Sequence, residues 1–374
     1  MPRAAQELLL EFGAERSRSR IRIGRGELSK LGAFARKTTG ARSVVLVTDA
    51  RVAALHGAAA LRSLRSAGVA AVEVRVLRGE RAKRVAPLAR LWEAFATAGL
   101  ARDGAVVALG GGAIGDLAGF AAASWLRGVP WIVVPTTVLA QVDASVGGKT
   151  AIDLEAGKNL AGAFHQPAGV LVDPDTLATL PARQRRSGLA EVVKMGFAVD
   201  RGLWNWLEPR LEALADAEPA ALSGAVERAI RAKARVVQED ERERAGGPRT
   251  ALNFGHTLGH AIEGSLGFRR MLHGEAVAIG MRAAAWLSVR VVGLAPESHV
   301  RLEAALDLLG LPVRMPDLPL ARLFAAMRHD KKRTQAEVRW VLTPRIGDAS
   351  VPRAVESRLV RAALELSGAR MTRA

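Results

Sequence analysis

Apolar and polar positions in the first half of the chain follow a strand–helix alternation. Short apolar or alternating runs, typical of strands, occur at residues 43–49, 72–77, 105–109 and 131–135. Residues 84–98 and 117–126 instead have the spacing of helices. This order predicts an α/β domain built on a parallel sheet.

The pattern changes near residue 180. Helical periodicity dominates from there on, at residues 185–198, 201–215, 219–237, 252–266, 275–291 and 299–309. Strand-like runs are few, and the polar stretch 240–248 predicts a loop. We therefore expect two domains in the 374 residues, an α/β domain at 1–180 and a mainly α-helical domain at 181–374.

Composition excludes some kinds of site. The chain has no cysteine, so it forms no disulfide, and a metal site would need histidine and carboxylate ligands. The first residues lack the apolar core and cleavage site of a signal peptide, and no apolar run approaches the roughly 20 residues of a membrane helix. The expected location is the cytoplasm.

A formal net charge of +17 raises the question of a nucleic-acid partner. The excess is almost all arginine and is spread evenly, which indicates a compositional habit rather than a binding surface. We therefore expect no nucleic-acid partner, and keep a basic nucleic-acid-binding protein as the alternative from another class. The charge would in either case concentrate anionic small molecules near the protein.

Lysine is rare in this chain, with 9 lysines against 45 arginines. A retained lysine suggests a position that needs a compact ammonium on a flexible stem rather than a planar guanidinium. Seven of the nine fall in motifs that carry other polar side chains: Lys83, Lys149, Lys158, Lys194, Lys233, Lys331 and Lys332.

Residues 110–116, GGGAIGD, fit the pattern G-x-G-x-x-G between a predicted strand and a predicted helix. Glycines let a diphosphate approach the backbone, and the helix N-terminus supplies N–H donors. Unlike an ordinary dinucleotide fingerprint, the loop has no acidic residue near position 135 to hold a ribose. Asp49, at the end of an earlier strand, is a candidate for that role. A tight turn without a ligand is the alternative.

Residues 134–150, VPTTVLAQVDASVGGKT, combine hydroxyls, a carboxylate and a Gly-Gly-Lys-Thr sequence. The run resembles the end of a P-loop, but Asp143 stands where that motif needs its first glycine. A Walker-type nucleotide site is therefore poorly supported. With Gly157, Lys158 and Asn159 following closely, the cluster favours a surface for a polyol or a phosphate.

Carboxylate and histidine residues of the second half suggest a metal site. Glu191 and Lys194 share one face of a predicted helix, His256 and His260 are one helical turn apart, and His273 follows. The pair His256 and His260 would chelate one ion together, or one ring would hold the ion while the other transfers a proton. Glu191 with two histidines would give three ligands and an open position, as in catalytic zinc sites. Structural histidines are the alternative.

Nine blocks of the sequence, in order, carry a resemblance to one family. They are GGGAIGDLAGF, RGV at 127–129, VPTTVLAQVDASVGGKTAID, GKNLAGAFHQP, SGLAEVVK, KARVVQEDERE, RTALNFGHTLGHAIE, LHGEAVAIGM and HDKK. Together they resemble the signature motifs of 3-dehydroquinate synthase, a sugar phosphate cyclase family, over roughly residues 45–345. The resemblance implies a Rossmann-like NAD-binding domain, a helical C-terminal domain, an active site in the interdomain cleft and a homodimer.

Motif by motif, the resemblance also implies residue roles. The ligands of one divalent ion, zinc or cobalt, would be Glu191, His256 and His273, while His260 would transfer protons and Glu243 would be catalytic. Substrate contacts are implied for Arg127, Asp143, Lys149, Asn159, Lys194, Lys233, Arg249, Asn253 and one or both of Lys331 and Lys332. NAD contacts are implied for Asp49, Glu80, Lys83, Gly111, Gly112, Ala113, Asp116, Thr136, Thr137 and Lys158.

The implied reaction converts 3-deoxy-D-arabino-heptulosonate 7-phosphate to 3-dehydroquinate and phosphate by transient oxidation with NAD, phosphate elimination, reduction and aldol closure. Several lysines and arginines suit a substrate with a carboxylate and a phosphate. The alternatives are a cyclase acting on sedoheptulose 7-phosphate, which lacks the carboxylate, and a metal-dependent polyol dehydrogenase that releases NADH. The 3-dehydroquinate synthase reaction is favoured over these alternatives by Arg249, Asn253 and the two adjacent lysines 331 and 332.

Two stretches depart from the family pattern. Residues 79–83 lack the aromatic side chain usual in the block beside the adenosine, and the loop 244–248 is about two residues longer than usual. The longer loop would alter the positions of Glu243 and Arg249, the two residues that flank it.

Overall fold

The structure is a computed structural model and describes residues 6–12, 17–244, 246–267, 270–331, 338–349 and 353–370. By its internal contacts the chain forms two compact units, Met1–Pro181 and Ala182–Ala374. Among the described helices, none combines the length and the apolar character that crossing a membrane requires.

The first unit is built on a mostly parallel sheet. Its described strands are β1 (Gln6–Phe12), β2 (Ser17–Ile23), β3 (Ser43–Asp49), β4 (Ala70–Val76), β5 (Ala105–Gly110), β6 (Trp131–Pro135), β7 (Lys149–Leu154), β8 (Gly157–Phe164) and β9 (Gly169–Val172). Seven of them form one sheet in the order β1-β2-β9-β6-β5-β3-β4. All neighbours in it are parallel except β1, which is antiparallel to β2. Strands β7 and β8 form a separate antiparallel hairpin.

Helices cover the central strands of this sheet. They are α1 (Leu31–Thr39), α2 (Ala50–Val52), α3 (Ala58–Ser66), α4 (Val85–Thr97) and α5 (Gly112–Ser124). Strands β5 and β6 are buried along their whole length, which explains why they read as continuous apolar runs. Leu31 and Phe34 of α1 and Leu64 of α3 pack in one core cluster with Leu46 of β3 and Val107 of β5.

The second unit is mainly helical. Its described helices are α6 (Ala182–Lys194), α7 (Arg201–Leu207), α8 (Leu211–Ala215), α9 (Pro219–Glu239), α10 (His256–Ser265), α11 (His273–Val291), α12 (Pro296–Leu308), α13 (Leu320–Lys331) and α14 (Ser357–Leu366). Four two-residue strands accompany them: β10 (Leu318–Pro319), β11 (Arg339–Trp340), β12 (Arg353–Ala354) and β13 (Ala369–Arg370). An α/β domain followed by a helical domain is the fold class that the sequence predicts, and it is confirmed.

Two predicted helices are interrupted where the backbone chemistry requires it. The single helix expected at 252–266 is wrong, because Gly255 has φ +79° and separates the short turn Pro248–Asn253 from α10. The helix expected at 201–215 is divided into α7 and α8 by the turn Glu208–Arg210, which contains a proline.

Candidate active site

Helices α6, α10 and α11 of the second unit approach one another closely because glycines lie at their contacts. A Cβ at Gly274 in α11 would lie 1.8 Å from the backbone oxygen of Ser187 in α6. A Cβ at Gly280 in α11 would lie 1.9 Å from the backbone oxygen of Gly255, which precedes α10. Only glycine allows such approaches, so the sequence brings these three helices to backbone contact.

Helices α10 and α11 each begin with a histidine. Gly255 adopts the left-handed conformation directly before His256, which fixes the start of α10. At α11, the backbone N–H of Leu272 donates to Oε2 of Glu275 at 2.8 Å, and this bond stabilises the turn that starts at His273. Local sequence thus places both imidazoles at helix N-termini.

Glu191, His256 and His273 come together from the three helices. Ligand atoms of all three lie within 4.8 Å of one another. Oε1 of Glu191 lies 3.8 Å from Nε2 of His256 and 3.5 Å from Nε2 of His273. One carboxylate and two imidazoles are the donor set of many catalytic zinc sites, which leave a fourth position for water or substrate.

Both histidines direct their second ring nitrogen to an acceptor. Nδ1 of His273 lies 3.0 Å from Oε2 of Glu263, and Nδ1 of His256 lies 3.3 Å from the backbone oxygen of Phe254. When each Nδ1–H donates to these acceptors, the Nε2 lone pairs remain for a ligand on the side of Glu191. This is the pattern of outer partners that orient histidines around metal ions.

The carboxylate of Glu191 is buried with little compensation, at 1% exposure. Neither oxygen has a hydrogen-bond donor in good geometry among the described residues, although Lys194 forms an ion pair with Oε2. Lys194 pairs with Oε2, while Oε1 faces the Nε2 atoms of His256 and His273, and a cation among these three atoms would be bound by each of them. The three residues therefore fit a divalent cation.

The charges of this cluster shift the pKa values of its members. Burial would raise the pKa of Glu191, but Lys194 and the two histidines lower it well below its usual range. Burial and the ammonium of Lys194 lower the pKa of His256 well below its usual value. Burial would also lower the pKa of His273, but the carboxylates of Glu191 and Glu263 raise it to about 10. The surroundings of His273 thus favour positive charge.

His260 lies beside the three residues on the exposed side of α10. Its ring centroid is 5.2 Å from that of His256 and 6.2 Å from that of His273. Ligand atoms of His260, Glu263 and His273 also lie within 4.8 Å of one another. Glu263, however, lies beside Nδ1 of His273, whereas the buried carboxylate of Glu191 lies beside Nε2, the nitrogen that remains for a ligand. The group with Glu191 is therefore the better cation site.

The other predicted residues of the second unit are partly brought together. Nδ2 of Asn253 donates to Oε1 of Glu243 at 3.1 Å. Arg249 is buried and donates to the backbone oxygen of Glu241, and Lys233 is buried in α9. Lys331 is the last residue of α13, and Lys332 lies outside the described residues.

The predicted dinucleotide residues lie at the carboxyl edge of the parallel sheet. Val47 of β3 pairs with Ala108 of β5, so Asp49 and Gly110 reach the edge at the same level. Thr136 follows β6 and donates its N–H to the oxygen of Gly110 at 2.9 Å. The chain passes from β3 out to β4 and then returns to β5 on the other side of β3. Such a reversal of strand order is where α/β sheets bind ligands.

The glycine loop forms the first turn of α5. Gly111 precedes the helix, and its backbone oxygen accepts the N–H groups of Ile114 and Gly115 at 3.0 and 3.1 Å, while Gly112 and Ala113 open the helix at positions whose N–H groups have no partner inside it. A Cβ at Gly115 would meet no atom within 4 Å, so this turn has open space beside it. Oδ1 of Asp49 caps α2 through two backbone N–H groups, at 2.9 and 3.1 Å, and these bonds do not use Oδ2. Free donors, open space and a carboxylate oxygen fit a dinucleotide.

Four more predicted cofactor residues form two ion pairs. Nζ of Lys83 lies 2.6 Å from Oδ2 of Asp116, and Nζ of Lys158 lies 3.5 Å from Oε2 of Glu80. Burial would lower the pKa of Lys83, but Asp116 and other carboxylates raise it, so the ammonium stays charged. Thr137 follows Thr136 at the sheet edge and is half-buried.

Backbone strain coincides with predicted substrate residues. Five described non-glycine residues have positive φ, and three of them are Arg127, Asn159 and Glu243. Such conformations are uncommon outside glycine and concentrate at functional sites.

Asp143 lies in the turn Ala140–Ala144, and Lys149 is exposed at the start of β7.

Glu263 and Asp153 are site neighbours to which the sequence assigned no role, although each ends one of the blocks that carry the resemblance. Glu263 stands seven residues after His256 and three after His260, so helical spacing alone could have placed it beside them. Asp153 lies in the β7–β8 hairpin, which the hydrophobic pattern did not predict, so nothing in the pattern related it to Asn159 or Lys83.

Two family models match consecutive parts of the chain. The model described as 3-dehydroquinate synthase N-terminal matches residues 73–187, and the model described as 3-dehydroquinate synthase C-terminal matches residues 188–333. A 3-dehydroquinate synthase from Bordetella pertussis is 45% identical over 345 residues, which cover 92% of this chain and 95% of that protein.

Solved structures of two other cyclases are similar to this fold. The 2-epi-5-epi-valiolone synthase of Streptomyces hygroscopicus subsp. jinggangensis, with NAD+ and Zn2+ bound, is 28% identical with a TM-score of 0.84 and covers 92% of this chain and 95% of its own. A 2-deoxy-scyllo-inosose synthase complexed with carbaglucose-6-phosphate, NAD+ and Co2+ is 27% identical with a TM-score of 0.85, covering 96% and 99%.

Proposed function

Because the chain belongs to the 3-dehydroquinate synthase family, we propose that it converts 3-deoxy-D-arabino-heptulosonate 7-phosphate to 3-dehydroquinate and phosphate. The identity of 45% to a 3-dehydroquinate synthase exceeds the 28% to the valiolone synthase, which favours this substrate over sedoheptulose 7-phosphate.

The observation that carries the proposal is the convergence of Glu191, His256 and His273. This donor set suits one divalent ion, zinc or cobalt, because a buried carboxylate faces the Nε2 atoms of two histidines whose Nδ1 atoms lie beside other acceptors. The carboxyl edge of the sheet, with Asp49 and the turn of Gly111 and Gly112, suits NAD.

When bound, NAD accepts and later returns a hydride, and the divalent ion acidifies the hydroxyl that is oxidised. The chain's own residues bind and orient the substrate and move its protons. Lys194, Lys233 and Arg249 are buried cations, and a desolvated cation holds a carboxylate or phosphate more strongly than an exposed one. The proposed substrate set is completed by Arg127, Asp143, Lys149, Asn159, Asn253 and one or both of Lys331 and Lys332.

His260 is proposed as the proton-transfer residue. It is exposed at the surface of α10 and lies next to the proposed ligand His256, with ring centroids 5.2 Å apart. A group in this place exchanges protons with substrate or solvent without leaving the metal site. Glu243 accepts a hydrogen bond from Asn253, which would hold its carboxylate for a catalytic role.

The direct test is phosphate release from the heptulosonate phosphate by protein loaded with NAD and zinc. We expect continuous release, no accumulation of NADH, and loss of activity after a chelator is added. Turnover of sedoheptulose 7-phosphate instead would assign the chain to the other cyclases. Stoichiometric NADH in solution would assign it to polyol dehydrogenases.

We also propose that the protein is a homodimer in the cytoplasm, as the family resemblance implies. Light scattering coupled to size-exclusion chromatography would give about twice the chain mass of 39.6 kDa for a dimer. Cell fractionation tests the location.

A further inference from the structure

A buried lysine connects three elements of the first unit. Lys83, which is 3% exposed, donates through Nζ to Oδ2 of Asp116 at 2.6 Å and to Oδ1 of Asn159. Lys83 follows the turn after β4, Asp116 belongs to α5, and Asn159 belongs to β8. Oδ1 of Asp153, in β7, lies 3.9 Å from the same Nζ.

The contact with Lys83 fixes the orientation of the Asn159 amide. An ammonium only donates hydrogen bonds, so the atom of Asn159 that faces it has to be the acceptor Oδ1. The Nδ2 donor consequently faces away from Lys83. Because Asn159 is exposed, its two amide hydrogens are available to an oxygen outside the protein.

Asp153 fixes the backbone of Asn159. The residue is 8% exposed, and its Oδ1 accepts a hydrogen bond from the N–H of Asn159 at 2.9 Å. Its own N–H donates to the backbone oxygen of Lys83 at 2.8 Å. Asn159 has φ +54°, a left-handed conformation that is uncommon for non-glycine residues and that asparagine tolerates better than most, so the bond from Asp153 holds a conformation open to this side chain. The strand pairing is also irregular at Asp153, between Ile152 and Leu154.

We propose that Asp153 is a positioning residue of this enzyme. It holds Asn159 in the left-handed conformation against Lys83, so that Nδ2 of Asn159 donates to a hydroxyl or phosphate oxygen of the sugar phosphate. Asp153 does not touch the substrate in this role. The inference rests on the proposed function, because it takes Asn159 as a substrate contact.

The substitution Asp153→Ala removes the acceptor for the Asn159 N–H. We expect the KM for the heptulosonate phosphate to rise about tenfold, the effect of one lost hydrogen bond, while kcat changes less than about twofold. Asp153→Asn keeps an oxygen acceptor at the same place and should restore KM to within about threefold of wild type.

A buried aspartate elsewhere in the same unit provides the matched control. Asp173 is 3% exposed and accepts backbone N–H groups of Gly26 and Leu28, at 3.0 and 2.9 Å. Asp173→Ala should lower the melting temperature as much as Asp153→Ala does, with no change in KM. An equal rise in KM for both variants would mean that Asp153 acts through general stability, and would overturn the proposal.

A double-mutant cycle tests the link to Asn159. Asn159→Ala should raise KM about tenfold, and adding Asp153→Ala to it should have no further effect, because both remove the same contact. Additive effects would overturn the proposal.

A failure of the proposed function would be visible separately, as absence of phosphate release by the wild-type protein. The geometric part is then tested by a crystal structure of the Asp153→Ala variant. We expect φ of Asn159 to leave the positive region, and an unchanged φ would overturn the inference whatever the substrate.

Discussion

Nδ1 of His273 lies 3.0 Å from Oε2 of Glu263, and the two residues belong to neighbouring helices, α11 and α10. Glu263 is 6% exposed, so this contact is shielded from water. It fixes which nitrogen of His273 carries a proton and therefore which nitrogen remains for a ligand.

Glu263→Gln is expected to weaken zinc binding without abolishing it. The amide is a weaker acceptor for Nδ1–H than the carboxylate, and outer partners of this kind contribute about 10- to 100-fold to metal affinity. Competition with a chromophoric chelator would measure the dissociation constant. Glu297→Gln, an exposed change on α12, is the control, and an unchanged affinity in Glu263→Gln would refute the assigned role.

His256→Ala and His260→Ala are expected to separate metal binding from proton transfer. The first variant should lose the metal ion, because one of three ligands is gone. The second should keep the metal and the fold but lose about 10²- to 10⁴-fold in kcat. Metal content by emission spectroscopy and steady-state kinetics measure the two effects. Equal metal content in both variants would show that the division of roles is wrong.

Gly280→Ala is expected to destabilise the second unit and lower its metal content. The new Cβ would lie 1.9 Å from the backbone oxygen of Gly255, so α10 and α11 have to separate. Overpacking of this kind lowers the free energy of unfolding by about 2–3 kcal/mol. Urea denaturation measures the loss. At Gly202 an added Cβ would lie 3.1 Å from Oδ1 of Asp200, which also accepts the N–H of Leu203, and no backbone atom is as near, so Gly202→Ala should cost much less than Gly280→Ala.

Stability in acid is expected to depend on Glu27. Burial would raise the pKa of this carboxyl, but Arg22 and Lys30 lower it below its ordinary value of 4.5. Because the folded-state pKa lies below the unfolded one, the stabilisation is present above about pH 4.5 and is lost as the pH falls through the lowered pKa. Glu27→Gln should therefore reduce the free energy of unfolding at pH 7 and flatten its loss in acid. Glu7→Gln, which removes exposed ion pairs with Arg20 and Lys37, should change the free energy of unfolding much less, because solvent screens exposed pairs.

The sequence predicted the fold class and the strands β3 to β6, whereas the four-residue strand β9 was not predicted although it is buried throughout. Strands β5 and β6 are covered on both faces, so nearly every position is apolar and the signal is strong. The hairpins β1–β2 and β7–β8 gave no such signal. In β8 buried and exposed positions do not alternate cleanly, and its place is set by pairing with β7 rather than by burial.

Residue roles could be proposed from motifs, but the contacts that hold those residues in place could not be predicted from the sequence. Spacing within α10 relates His256 to Glu263, whereas nothing in the spacing relates Ser187 to Gly274, 87 positions apart. Their contact depends on two helices packing at backbone distance. Asn159 is similar, since asparagine tolerates the left-handed conformation, but its contact with Lys83, 76 positions away, depends on the fold.

The glycines between α6, α10 and α11 have a consequence for the evolution and redesign of this centre. At Gly255, Gly259, Gly274 and Gly280 an added Cβ would meet backbone atoms at 1.8 to 3.3 Å. Any side chain at these positions would force the segments apart in one step, so the spacing of the three segments cannot widen by small increments at these glycines. A change of ion preference would have to come from replacing a donor group, for instance an imidazole by a thiolate, and not from a gradual increase in the distances between the three ligands.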